Sequence, residues 1–182
     1  MVNYIALLRG INISGKNKIA MAELKNEVEQ LGYKNVRTYL NSGNVIFESD
    51  TYDKKLIKET IEKMIQEKFK FTIPVFVLTK NELEDILNHC PNWWGSDNKE
   101  IYDNLIFIIP PTTYDEVYQT LQEPNSDFEK IQEYKNNIFW SYQLKDYKKT
   151  NWWPKTARTS IANKITIRTA NTMKKVLELC HK

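Results

Sequence analysis

The stretch RGINISGKNK, residues 9–18, nearly matches a phosphate-binding loop. Gly10, Gly15 and Lys16 fit the first seven positions of the pattern G-x-x-x-x-G-K-[ST], and the apolar run YIALL before it is typical of the preceding strand. The eighth position should supply a hydroxyl for Mg²⁺, but here it is Asn17, whose neutral amide oxygen is a poor replacement.

Two further features argue against nucleotide hydrolysis by this loop. The next helix is predicted to begin at about Met21, several residues after Lys16, so its dipole is not aimed into the loop. No later strand ends in the acidic residue that would complete a metal site, because LIFII runs into Pro110 and VFVL runs into Thr79. We therefore expect no Mg²⁺-dependent ATP hydrolysis at residues 10–17.

The elements that position this loop follow from hydrophobic periodicity. NYIALLR predicts a strand, and a helix follows from about Met21 with Gly32 as its C-terminal cap. VRTYL and NVIFES flank the turn Asn41–Asn44, a strong hairpin signal. A second helix, whose N-cap is Asp50 or Asp53, leads into the strand IPVFVLT. The order βαββαβ is that of a ferredoxin-like fold.

The same order is predicted again in the second half. LIFII, a helix over Tyr114–Leu121, the hairpin FEKIQEY–NIFWSYQ, a weaker helix near Thr156–Asn163 and the strand ITIR repeat the pattern. The fold class is therefore α+β: a tandem of two ferredoxin-like βαββαβ halves with antiparallel sheets, residues 1–100 and 101–182, packed as one rigid unit. Each half ends in a helix with a threonine N-cap, at Thr79 and Thr169, and an apolar stripe that closes on Cys90 or Cys180.

Strand directions indicate where a ligand binds. In a split βαβ unit the first and second strands run the same way, so the loop of residues 9–18 lies beside the Asn41–Asn44 turn. Two polar, glycine-containing loops at one sheet edge favour an anion or a sugar-phosphate. The alternative is a turn cluster whose asparagines only bond their own backbone. The candidate ligand-binding residues are Arg9, Asn12, Lys16, Lys18, Asn41, Ser42, Asn44 and Arg168.

Charge is segregated along the chain, although the net charge is only +3. Residues 1–22 contain no acidic residue and carry +3, and residues 147–177 contain none and carry +8, which leaves −8 for the remainder. Such a distribution indicates an anionic partner, either a phosphate-bearing small molecule or a nucleic acid. Solubility alone is the competing explanation for any single lysine.

The sequence gives little support for a metal site, a cofactor or a membrane segment. The only histidines, His89 and His181, lie at predicted helix ends, and with two distant cysteines they make no metal site. We expect no cofactor, reduced thiols in a cytoplasmic protein and no membrane segment; the oligomeric state is open. Trp93-Trp94 and Trp152-Trp153 either fill gaps between the two halves or, if exposed, stack on bases.

Three motifs, RGINISGKNKIAMAEL, VRTYLNSGNVIF and ITIRTANTMKKVLEL, resemble the signature set of a bacterial family, domain of unknown function 1697. The resemblance covers essentially the whole chain and implies the tandem ferredoxin-like fold, but no activity. The family's third motif places Asn after the arginine, whereas Thr169 follows Arg168 here.

Three functions remain open from the sequence. The first is a binding module for an anionic, phosphate-bearing ligand such as a nucleotide or nucleic acid. The second is an enzyme that acts on a phosphorylated small molecule, with cations as electrostatic stabilisers. The third is a structural or interaction protein that joins an assembly through its tryptophans. Whether the protein is an enzyme, and through which catalytic residues, stays undecided at this level.

Overall fold

The computed structural model describes residues 1–182 and contains two four-stranded antiparallel sheets with five α-helices. The chain divides into two compact units, Met1–Glu84 with Lys175–Lys182, and Asp85–Lys174. Each unit holds one complete sheet, which confirms the tandem α+β class. The predicted division at residue 100 and the packing of the halves as one rigid unit stay predictions.

The first unit has the predicted strand and helix order. It comprises β1 (Val2–Leu8), α1 (Met21–Gln30), β2 (Lys34–Tyr39), β3 (Asn44–Ser49), α2 (Lys54–Phe69), β4 (Val75–Thr79) and the start of α3 (Lys80–Asn88). The sheet order is β2-β3-β1-β4, and β1 pairs antiparallel with both β3 and β4. With β3 between them, β1 and β2 run the same way and end at the same sheet edge.

Alternation along β1 explains how this sheet holds its helices. Tyr4, Ala6 and Leu8 point to one face, where they join a buried cluster with Leu24 of α1 and Ile61 of α2. Asp53 is the N-cap of α2, because its side chain accepts hydrogen bonds from the backbone N–H groups of Lys55 and Leu56. The alternative cap, Asp50, is not used.

The second unit repeats the sheet with one helix missing. It comprises β5 (Ile101–Ile108), α4 (Tyr114–Leu121), β6 (Glu129–Tyr134), β7 (Asn137–Gln143) and β8 (Ile165–Thr169), in the order β6-β7-β5-β8, followed by α5 (Ala170–Leu179), whose last residues belong to the first unit. The helix predicted near Thr156–Asn163 is wrong: only a single 3₁₀ turn, Ser160–Asn163, forms there.

The reason lies in how the sheet face is covered. Where α2 packs on the first sheet, the second sheet receives an irregular segment that buries Trp152 and Ile161 beside Ile106 and Trp140. The large indole of Trp152 is fully buried in this cluster, so it contributes apolar contact area to the core without belonging to an α-helix. Residues 144–164 therefore cover this face without an α-helix, through two short 3₁₀ helices, Leu144–Lys149 and Ser160–Asn163, and irregular chain between them. None of the helices is both long and apolar enough to cross a lipid bilayer.

Candidate functional site

The loop after β1 forms a small rigid hairpin and not a phosphate-binding loop. Ser14 and Gly15 both have positive φ, +50° and +74°, which is the requirement of a type I′ turn. The N–H of Lys16 donates to the carbonyl of Ile13 at 2.9 Å, and the N–H of Asn12 donates to the carbonyl of Asn17 at 3.1 Å. Lys16 thus lies at a hairpin tip, well before α1 begins at Met21.

Asn12 fastens this hairpin to its surroundings. Its Oδ1 accepts from the N–H of Ile19 at 2.8 Å, and its Nδ2 donates to the carbonyls of Ile19 at 3.0 Å and Asn41 at 2.9 Å. Asn17 similarly donates to the carbonyl of Gly10 at 2.9 Å. The Asn12 amide is therefore committed to the backbone through both its oxygen and its nitrogen, which leaves it little capacity for a ligand, and Asn17 adds one further bond through its nitrogen.

The turn between β2 and β3 meets the hairpin closely at Gly43. The N–H of Leu8 donates to the Gly43 carbonyl at 2.9 Å. A Cβ on Gly43 would lie 2.8 Å from both Ile11 Cδ1 and Leu8 Cβ, so only glycine fits this contact. Asn44 is fully buried and donates to the Tyr39 carbonyl at 2.7 Å and to Ser42 Oγ at 3.1 Å.

An open cleft of about 450 Å³ lies between the hairpin, the turn and the first turn of α1. The residues that line it are Asn12, Gly15, Lys18, Ile19, Ala20, Met21 and Asn41. The N-cap of α1 is Ala20, and no side chain caps the first N–H groups of the helix. These groups have no partner within the helix, so the cleft contains an open helix N-terminus.

The charge at the cleft is positive. Lys18 is exposed on its lining, Lys16 is exposed on the hairpin, and none of the ion pairs of the structure involves either. No carboxylate lines the cleft. The nearest acidic residue along the chain is Glu23, which is exposed in the first turn of α1. Arg9 is half-buried, and burial lowers the pKa of its guanidinium without discharging it.

The candidate residues from the sequence are therefore divided by the structure. Asn12, Lys18 and Asn41 line the cleft. Ser42 and Asn44 do not line it; their side chains are hydrogen-bonded to each other within the turn. Arg168 lies in β8 of the second unit, where it is 7% exposed and its Nη1 donates to Thr166 Oγ1 and to the Ile167 carbonyl, both at 2.9 Å. It is a buried arginine of the second sheet.

The open N-terminus of α1 is the feature that the sequence did not indicate. Helix starts are recognised from Ser, Thr, Asp or Asn at the N-cap, and Ala20 gives no such signal. The contribution of Ala20 and Met21 to the cleft is visible only once the hairpin and the turn are folded against the helix.

Outside the cleft, His89 and Cys180 have the surroundings of structural residues and not of catalytic ones. His89 follows the last residue of α3, as predicted, and its Nδ1 lies 2.7 Å from the carbonyl oxygen of Asp85 in the last turn of that helix. Burial raises the pKa of the Cys180 thiol to about 11, as expected of a small core side chain and not of a nucleophile. No group of three or more His, Cys, Asp or Glu side chains could hold a metal ion.

Comparison with known proteins finds one matching family and a similar solved structure. The model of the family described as protein of unknown function (DUF1697) matches residues 1–139. A solved structure, described as that of the conserved bacterial protein SP0830 from Streptococcus pneumoniae, is 30% identical in sequence. It is similar over 98% of each chain, with a TM-score of 0.85. No curated protein matches the chain.

Proposed function

The chain belongs to the family described as protein of unknown function (DUF1697), and from the geometry of its cleft we propose that it binds a small phosphate-bearing ligand such as a nucleotide. That description names no activity, so the proposal rests on the site. The observation that carries it is the uncapped N-terminus of α1, which opens into a cleft lined by Lys18.

A helix N-terminus attracts anions for two reasons. Its first N–H groups lack partners, and the aligned peptide dipoles place about half a positive charge there. Phosphate oxygens accept several hydrogen bonds at once, so they suit such an end better than a single carbonyl does. Lys18 adds a full positive charge on the same cleft.

The surroundings are pre-organised for binding. The hairpin and the turn are joined by the amide of Asn12, so little ordering remains to be done when a ligand arrives. The volume of about 450 Å³ falls within the range of roughly 300–1,000 Å³ that is usual for small-molecule sites. Lys18 is the one ionisable residue on the lining, which favours binding over acid–base catalysis.

The experiment is a calorimetric titration with inorganic phosphate, ADP and ATP at low salt, without Mg²⁺. Ala20→Asp should abolish binding while it raises the melting temperature, because an N-cap carboxylate occupies the same N–H groups and stabilises the helix by about 1 kcal/mol. Lys18→Gln should weaken binding about ten- to hundredfold, the effect of losing one charge-assisted hydrogen bond.

The matched control is Lys34→Gln, an exposed lysine of β2 outside the cleft, which removes one charge and should leave the affinity unchanged. Equal loss in Lys34→Gln and Lys18→Gln would mean that only net charge matters. Undiminished binding in a stably folded Ala20→Asp would reject the helix N-terminus as the site.

A further inference from the structure

A second surface, in the other unit, combines an exposed tryptophan and a half-buried tyrosine with lysines. We call it the aromatic-basic surface and define it as Lys145, Tyr147, Lys148, Lys149 and Trp153. Trp153 is 41% exposed and packs edge-on against Tyr147, with ring centroids 4.5 Å apart and planes at 71°. Lys148 Nζ lies 5.6 Å from the centre of the Tyr147 ring. The adjacent Trp152, in contrast, is fully buried.

Two buried polar groups hold these rings in place. Thr150 Oγ1 donates to the Tyr147 carbonyl at 2.7 Å and accepts from the N–H of Trp153 at 3.2 Å, so one hydroxyl links both aromatic residues. The side chain of Glu129 accepts from the backbone N–H groups of Asn151 at 2.6 Å and Trp152 at 3.3 Å. The exposed indole of Trp153 is therefore supported by an ordered segment.

This surface keeps a positive charge, because not all of its lysines are paired with an acidic side chain. Lys149 is paired with Asp146 at 2.9 Å, and this aspartate is largely buried. Lys148 and the neighbouring Lys145 are exposed and form no ion pair. No acidic residue follows until after Leu177 in the sequence, so the positive charge is not offset by the following segment.

We propose that the aromatic-basic surface binds single-stranded nucleic acid, with an unstacked base against Trp153 and backbone phosphates beside Lys145 and Lys148. An exposed ring next to lysines matches a polymer that alternates flat bases with phosphates. A duplex does not fit as well, because its base faces are stacked inside. A membrane surface fits less well because the exposed apolar side chains here are only Trp153 and Leu144.

This proposal is independent of the cleft, because every residue that carries it belongs to the second unit. The test measures fluorescence anisotropy of fluorescein-labelled U12 and dT12 oligonucleotides at 50 mM NaCl. Trp153→Ala should weaken binding about 5- to 150-fold, the range for losing one stacked base. Trp153→Phe should restore most of the affinity, since it keeps a stacking face.

Two controls separate stacking from general effects. Tyr52→Ala removes an aromatic residue that is 78% exposed in the first unit and should leave binding unchanged. Lys148→Gln should reduce the slope of log affinity against log salt by about 0.7, the contribution of one single-strand phosphate. Ala20→Asp should leave oligonucleotide binding intact, whereas Trp153→Ala should leave phosphate and nucleotide binding intact.

Three results would overturn the proposal. One is the absence of oligonucleotide binding at 50 mM NaCl. Another is equal affinity of the wild type and Trp153→Ala. The third is an unlabelled blunt duplex that competes as well as the single strand, which would leave charge alone as the cause. Vesicles of phosphatidylglycerol and phosphatidylcholine that shift the tryptophan emission of the wild type to the blue but not that of Trp153→Ala, with no effect of oligonucleotides, would assign the surface to membranes instead.

Discussion

The indole Nε1 of Trp140 donates a 2.9 Å hydrogen bond to Oε2 of Glu129, and both residues are buried in the second unit. The other oxygen, Oε1, accepts from the backbone N–H groups of Asn125, Asn151 and Trp152. No cation is among these partners. One buried carboxyl group thus joins β6, β7 and the irregular segment through N–H donors alone.

Replacement of Glu129 should therefore destabilise the protein strongly. In Glu129→Leu four N–H groups, two of them buried and two part-buried, lose their acceptor, and we expect the free energy of unfolding to fall by at least ~3 kcal/mol. Glu129→Gln keeps the shape but turns an NH₂ group towards N–H donors, so it should cost about 1–3 kcal/mol. Urea denaturation followed by tryptophan fluorescence measures both.

The control for this pair is Glu123→Gln, an exposed glutamate, whose removal should change the free energy of unfolding by less than about 0.5 kcal/mol. A Glu129→Leu variant as stable as the wild type would contradict the assigned role.

Gly43 provides a test of close packing at the cleft. Gly43→Ala should destabilise by about 2–4 kcal/mol, because the new Cβ meets Ile11 and Leu8 at 2.8 Å and the backbone has φ of +85°. Gly32→Ala isolates the backbone effect: φ is +90° there but nothing lies within 4 Å of the added Cβ. We expect it to cost only about 1 kcal/mol. Equal losses in thermal or urea unfolding would show that the contact is irrelevant.

Glu82 should make the stability depend on acid pH. Burial raises the pKa of its carboxyl, but hydrogen bonds from Lys54 and Thr79 outweigh this, and the folded pKa lies below the ordinary value of 4.5. The contribution is thus fully present above that value and is lost as the pH falls through the folded pKa.

Glu82→Gln should be less stable than the wild type at pH 7, and the difference should shrink below about pH 4. Urea unfolding at several pH values measures it, with Glu59→Gln as the control for removal of one exposed helix carboxylate. A difference that stays constant, or grows, on acidification would contradict the sign.

The two cysteines should differ in reactivity. With the pKa of Cys180 at about 11, only about one thiol in a thousand is ionised at pH 8, and the side chain is buried. Half-buried Cys90 should react first with a thiol reagent. In a Cys90→Ser variant we expect labelling of native protein to be slow and labelling after denaturation to be complete. Rapid native labelling of that variant would show an accessible Cys180.

The sequence was most informative where a rule acts locally. The start of α1 at Met21, the turn before Asn44 and an aspartate cap at Asp50 or Asp53 follow from periodicity, turn residues and N-cap preference; the structure confirms the first two and selects Asp53 as the cap. The predicted Thr156–Asn163 helix failed because one buried indole, Trp152, settles that segment through tertiary packing.

The prediction of the binding site was limited in the same way, because tertiary contacts decide what each side chain bonds to. Strand direction correctly brings Asn12 to Asn41, because it depends on topology alone. Whether an asparagine faces a ligand or its own backbone depends on contacts that only the folded loop defines, and Asn12 and Asn44 bond mainly to the backbone. Binding at the eight candidate residues stays a prediction.

The missing crossover helix of the second unit has a consequence for mutational robustness. In α2 the backbone bonds to itself, and most substitutions on its exposed side leave those bonds intact. Residues 144–164 also form backbone hydrogen bonds, in two short 3₁₀ helices and in turns, but side chains such as Thr150 and Asn151 add bonds that depend on residue identity. We therefore expect sequence drift to be more restricted at these side chains than on the exposed side of the regular helix, contrary to the usual expectation that loops vary most freely.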